Sequence, residues 1–287
     1  MNIQIIQERF DTYHCVSKQD VANALKEIVQ EIALAALSRS GFFKNAAFQG
    51  GTCLRILHGI NRFSEDLDFI LKEPDPHFIW DPCLQQMTQE FLAFGIEAEF
   101  QDRSKMDNAV KKFFLKDTSL GKLLNVSFGD PTQKIKIKFE LDTNPPVGSD
   151  FEIKYLDFPF PFVVTTQDLP SLFAGKSHAL LCREYTKGRD WYDLLWYVAR
   201  KIKPNFTFLQ NALIQNGAWE GQDIQVTPSW YLLEMKKMIQ SIDWADAKTD
   251  IMRFAKGSER QSLDLWSQDF FLDRLEKMES YLSDNTP

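Results

Sequence analysis

The chain has 287 residues, 44% of them apolar and 24 of them Phe, which is enough side-chain volume for a real core and excludes a disordered tail protein. A formal net charge of -7 argues against a surface that coats nucleic acid on every side. No run approaches the roughly 20 apolar residues of a bilayer span, and the opening MNIQIIQERFD lacks the basic-then-apolar order of a secretory signal, so the expectation is a cytoplasmic protein with no membrane role.

In chain order, Ser17 predicts an N-cap for a helix whose Val21, Leu25, Ile28, Ile32 and Ala35 repeat at three and four residues, stopped by Gly41. Gly50-Gly51 breaks the pattern and a short helix follows, then Leu67 and Phe69 alternate with Asp66 and Asp68 as in a strand. Residues 81–94 read as a helix. Residues 96–103, 109–116, 123–128 and 134–142 read as strands, with a further strand pair ending near Thr166. Helical periodicity then takes over, and six of the seven Trp lie beyond residue 190. The expected architecture is α+β, with a mixed sheet and flanking helices in residues 1–166 and a mainly helical, aromatic-packed domain in residues 167–287.

Charge is segregated along this order. Between Arg103 and Lys138 nine basic residues face three acidic, and between Lys176 and Lys203 seven face three. Such windows suit an anionic ligand in a basic cleft of an acidic protein. The four Cys form no CxxC and the four His no HExxH, so reduced structural thiols and no histidine metal site are expected.

Side chains two apart on a strand share a face, so Asp66 and Asp68 can converge on a pair of divalent cations, and an all-oxygen set suits magnesium. Upstream, Gly50, Gly51 and Thr52 open a helix, where unhindered amides and a hydroxyl can hold phosphate oxygens. The strand from Lys134 to Asp142 turns Ile135, Ile137, Phe139 and Leu141 to one side. Paired beside the Asp66–Asp68 strand, it would add Glu140 as a third carboxylate, with Asp142 as the rival. Lys176 and Arg183, seven apart, can address one polyanion from a helix face, and Asp190 and Asp193 share a face of the next helix. His178 reads as a packing residue.

With these residues assembled, the sequence resembles the AbiEii/AbiGii toxin family of nucleotidyltransferases, within the DNA polymerase beta-like superfamily. The likeness rests on Gly50-Gly51-Thr52 with Leu54-Arg55, on Arg62 through Phe69, on Ile137 through Glu140, and on Lys176 through Asp193. It implies the polymerase beta-like fold and a toxin with a cognate antitoxin protein, in a toxin-antitoxin or phage-defence pair. Some members add nucleotides to tRNA 3' ends. By position it implies Ser64 and Asp66 as active-site residues, Asp68 as second metal ligand, Lys176 as triphosphate contact and Asp190 as the acid of the last motif. The expectation is therefore a Mg2+-dependent enzyme with a two-ion site at Asp66, Asp68 and Glu140. An NTP would be held by Gly50, Gly51, Thr52, Ser64, Lys176 and Arg183, and the acceptor would be an RNA, a tRNA 3' end, received on the basic strands. The alternatives are a small-molecule or protein acceptor, and a non-catalytic member that binds antitoxin or nucleotide alone.

Overall fold

Ser17 accepts the Asp20 amide and starts the long helix, so its side chain replaces a bond the first turn cannot make for itself. In the computed structural model, which describes residues 2–104, 108–126, 134–255 and 257–283, the elements before residue 168 are α1 (Asn2–Asp11), α2 (Lys18–Arg39), β1 (Ala46–Gln49), α3 (Gly50–His58), β2 (Leu67–Leu71), α4 (Asp81–Ala93), β3 (Glu99–Asp102), β4 (Val110–Asp117), α5 (Leu120–Leu123), β5 (Ile135–Asp142), β6 (Phe151–Leu156) and β7 (Phe162–Gln167). The remainder is helical: α6 (Leu169–Cys182), α7 (Gly188–Ala199), α8 (Phe206–Gln215), α9 (Pro228–Ser241), α10 (Trp244–Met252), α11 (Gly257–Ser262) and α12 (Gln268–Leu282).

The seven strands form one mixed sheet in the order β3-β4-β5-β2-β1-β7-β6. β2 lies antiparallel to β1 and parallel to β5, while β4 runs antiparallel to β5. Strict alternation in β5 sends Ile135, Ile137, Phe139 and Leu141 to one side, all of them buried, and leaves Lys136 exposed with Lys138, Glu140 and Asp142 half-buried. The buried side is an aromatic core. Phe113 stacks on Phe139 at 4.1 Å between centroids, Trp80 meets Phe113 edge-on at 4.8 Å, and Phe42 stacks on Trp80 at 5.5 Å.

The strand expected over residues 123–128 does not form in its described part, residues 123–126. Leu123 ends the short helix α5 and Leu124 caps it, because Asp117 accepts the amides of Ser119 and Leu120 and turns the chain. Leu120 and Leu124, four apart, are then both buried. The rest of that segment, Phe128 included, lies outside the described residues, as do Lys105, Asp107 and Asp130 of the basic window.

Two compact units divide the chain. The first comprises residues 1–59, 63–145 and 151–166; the second takes in residues 60–62 and 146–150 besides 167–287. The second unit has its own aromatic core, in which Trp244 stacks on Phe271 at 4.1 Å and Trp191 meets both. Among the described residues no helix is long and apolar enough to cross a membrane.

Candidate active site

In the first unit, sheet register gathers the acidic residues. Asp68 on β2 is in register with Glu140 on β5 and, on its other side, with Gln49 on β1; Glu140 in turn faces Lys112 on β4. Parallel pairing puts register partners on the same sheet face, so Asp68 and Glu140 lie side by side on the face opposite the aromatic core. Asp142 is two residues further on, opposite Ile70, and accepts the Asn144 amide. Burial raises its pKa.

Glycine is required at residue 50. Its φ is +77°, and a Cβ there would lie 2.6 Å from the Asp68 Oδ2, so the helix starts against the carboxylate only because no side chain intervenes. Gln49 precedes α3 without capping it; its side chain donates instead to the Phe69 carbonyl at 3.1 Å. The first-turn amides of Gly50 and Gly51 therefore have no side-chain acceptor from the cap residue.

Thr52 has a different task from the one its position suggests. It is fully buried, and its hydroxyl donates to the Asp66 carbonyl, fixing the residue just before β2. Gln30 of α2, also fully buried, donates to the Ser64 and Glu65 carbonyls at 3.2 and 2.9 Å. Lys26 pairs with Glu65 at 2.8 Å. The segment from Ser64 to Asp66 is thus held from two helices.

The donor set fits a hard divalent cation: the carboxylates of Asp68 and Glu140 stand on adjacent strands, the first packed directly over Gly50 with no Cβ between. Among the described residues no three His, Cys, Asp or Glu side chains are already drawn into a cage. Glu140 is turned onto the Lys138 ammonium at 2.6 Å.

The second unit holds a buried charge cluster. Lys176 on α6 reaches Asp190 at 2.7 Å and Asp193 at 2.8 Å on α7. Arg62, 2% exposed, donates from Nε and Nη2 to the two oxygens of Asp193, both at 2.6 Å. Arg183 is not on the helix of Lys176, since α6 ends at Cys182, yet its Nε lies 3.3 Å from Asp190. Burial would raise the Asp190 pKa, but Lys176, Lys187 and Arg183 outweigh it and hold it at about 2. Asp190 sits in the first turn of α7 rather than at its cap, which Lys187 occupies. His178 donates from Nε2 to the Asn216 carbonyl at 2.9 Å, a packing role.

Sequence reasoning quoted Arg62 and Asp193 without giving them a task. Their pairing spans 131 residues, and no local spacing reveals it. Gln30 was likewise hidden on the polar side of a helix read only for its apolar stripe.

A family model described as the nucleotidyl transferase AbiEii toxin of a type IV toxin-antitoxin system matches residues 32–274. Two Helicobacter pylori structures are similar in fold. One, described as a nucleotidyltransferase, has a TM-score of 0.50 at 14% identity, covering 88% of this chain and 91% of its own. The other, JHP933, has a TM-score of 0.50 at 15% identity, with 91% of each chain covered. No curated protein matches the chain at a significant level.

Proposed function

The chain belongs to the AbiEii family of nucleotidyltransferase toxins, and from that premise we propose that it transfers a nucleoside monophosphate from an NTP to the 3' hydroxyl of an RNA, a tRNA end, with magnesium as the metal. The acceptor oxygen bonds to the α-phosphorus and gives its proton to water, while the bond from the α-phosphorus to the bridging oxygen breaks and pyrophosphate departs with that electron pair. The family carries with it an antitoxin partner of the type IV system.

Asp66, Asp68 and Glu140 would hold the metal pair, which when bound activates the attacking hydroxyl and offsets charge on the leaving pyrophosphate. Gly50 and Gly51 would offer first-turn amides to the triphosphate, with Ser64 orienting it. Lys176 would supply the neutralising cation, aligned by Asp190, and Arg183 would support the same charge. Thr52 would act by positioning Asp66 through its carbonyl.

The observation that supports this reading above the others is the register of Asp68 with Glu140 on parallel neighbouring strands, against a glycine that leaves Asp68 its space. Purified protein incubated with each labelled NTP, magnesium and total tRNA, followed by separation of RNA, protein and small-molecule pools, tests it. Label should enter the RNA pool with the wild type and not with Asp66→Ala. Label transferred by Asp66→Ala would refute the metal assignment, and label in another pool would move the acceptor.

A further inference from the structure

The sheet face that bears the acids does not end with them. Across β5 and β4 the residues on that face are Lys136 and Lys138, then Lys112, Phe114 and Lys116, because Lys112 is in register with Glu140, Phe114 with Lys138 and Lys116 with Lys136. One strand further, Gln101 on β3 is opposite Phe114 and accepts from Lys116. Phe114 is the odd member. Its strand neighbours Phe113 and Leu115 are buried in the core, whereas Phe114 stands half-exposed among cations on the polar face. The Lys136 ammonium lies over its ring at 4.4 Å.

From this arrangement we infer that the face is a landing strip for single-stranded RNA, in which one base near the acceptor's 3' end stacks on Phe114 and its flanking phosphates meet Lys112, Lys116 and Lys136. The inference rests on the nucleotidyl-transfer reading above. An aromatic ring set among basic residues on an open sheet face is the combination that binds single strands with little sequence demand, the ring taking a base and the cations the backbone. The cation now over Phe114 is carried on a flexible four-carbon stem, so it can swing aside to a phosphate as a base takes its place. Strand spacing puts Phe114 two strands, roughly 10 Å, from the level of Asp66, the length of about three stacked nucleotides. A strand stacked there has its terminal hydroxyl at the acids. The acceptor therefore engages through its last few unpaired nucleotides.

The test uses the full-length protein and a fluorescently labelled single-stranded RNA ending in a 3' hydroxyl, with anisotropy across a salt series and label transfer measured in parallel. Phe114→Ala should weaken RNA binding roughly 5- to 100-fold and raise the RNA KM while leaving the NTP KM unchanged, and Phe114→Trp should restore both. Lys112→Gln with Lys136→Gln should lower the slope of log affinity against log salt by about 1.4. Phe114→Leu keeps the apolar volume without a ring face and serves if the alanine protein fails to fold; it should bind as weakly as alanine with a wild-type melting temperature. Unchanged RNA affinity in folded Phe114→Leu, with the wild type still labelling RNA, would overturn the landing strip and leave the transfer reading standing. A wild type that labels only protein or a small molecule would overturn both. Loss of an acidic protein partner, with RNA affinity intact, would overturn it by giving the face to that partner.

Discussion

Thr52 and Arg62 each touch the proposed site only through another residue, Asp66 and Asp193. The Thr52 hydroxyl is buried on the Asp66 carbonyl, so Thr52→Val leaves that carbonyl without its donor at a cost of about 1–3 kcal/mol. The expected result is a lower melting temperature and a fall in kcat larger than the change in NTP KM, with Thr52→Ser recovering both. Arg62 matters through Asp193: Arg62→Leu removes the two-pronged partner and leaves Lys176 alone against that buried carboxylate, which should cost about 1.5–3 kcal/mol in urea denaturation. Lys176 is embedded in the same cluster, so activity lost in a Lys176 variant counts as chemistry only where its denaturation midpoint is unchanged. The cluster also predicts acid behaviour. Asp190 titrates at about 2 in the fold against an ordinary 3.8, so the unfolded chain binds more protons in that window. The stability it contributes is complete above about pH 4 and is lost as pH falls toward about 2; Asp190→Asn should flatten that limb of an acid titration followed by circular dichroism.

At the scale of elements, α1 and α2 form the support behind the segment from Ser64 to Asp66. Arg9 binds Glu31 with Nε and Nη2 at 2.9 and 2.6 Å, Tyr13 donates to Glu27 at 3.0 Å, and Arg55 of α3 pairs with the same Glu27 at 2.7 Å. Deleting residues 1–13 removes partners from two buried carboxylates and should lower the urea midpoint by the equivalent of about 3–5 kcal/mol, with faster proteolysis near Ser64, where Gln30 of α2 anchors the backbone. Much of this framework was legible in the sequence. The apolar stripe of α2, its Ser17 cap, the break at Gly50 and the alternation in β5 all carry their period openly. The turn at Leu120–Leu124 was not, because the short apolar run Leu123-Leu124-Asn125-Val126 fits a strand as well as the end of a helical turn, and an aspartate at residue 117 decides it. The placement of β5 beside β2 was readable only as a condition, since nothing local states which strand a strand will join.

For the whole molecule, an acidic chain can still present local positive charge: Lys112, Lys116, Lys136 and Lys138 share one sheet face, and Arg62 and Lys176 meet in one buried cluster. The alternation that puts Asp68 on the polar face of β2 could be read from spacing because strand geometry is a local rule. The partnership of Arg62 with Asp193, and of Thr52 with Asp66, could not, because each depends on the tertiary path. That difference bears on handling a toxin. Gly50 lies so close to Asp68 that one methyl group, in Gly50→Ala, would collide with the carboxylate and also occupy a left-handed backbone site. Transfer activity should drop at least tenfold while every ionisable group stays in the protein. Such a disarmed form could be produced in living cells without its antidote and mixed with it afterwards, so that recognition is weighed on a toxin whose electrostatic identity is untouched.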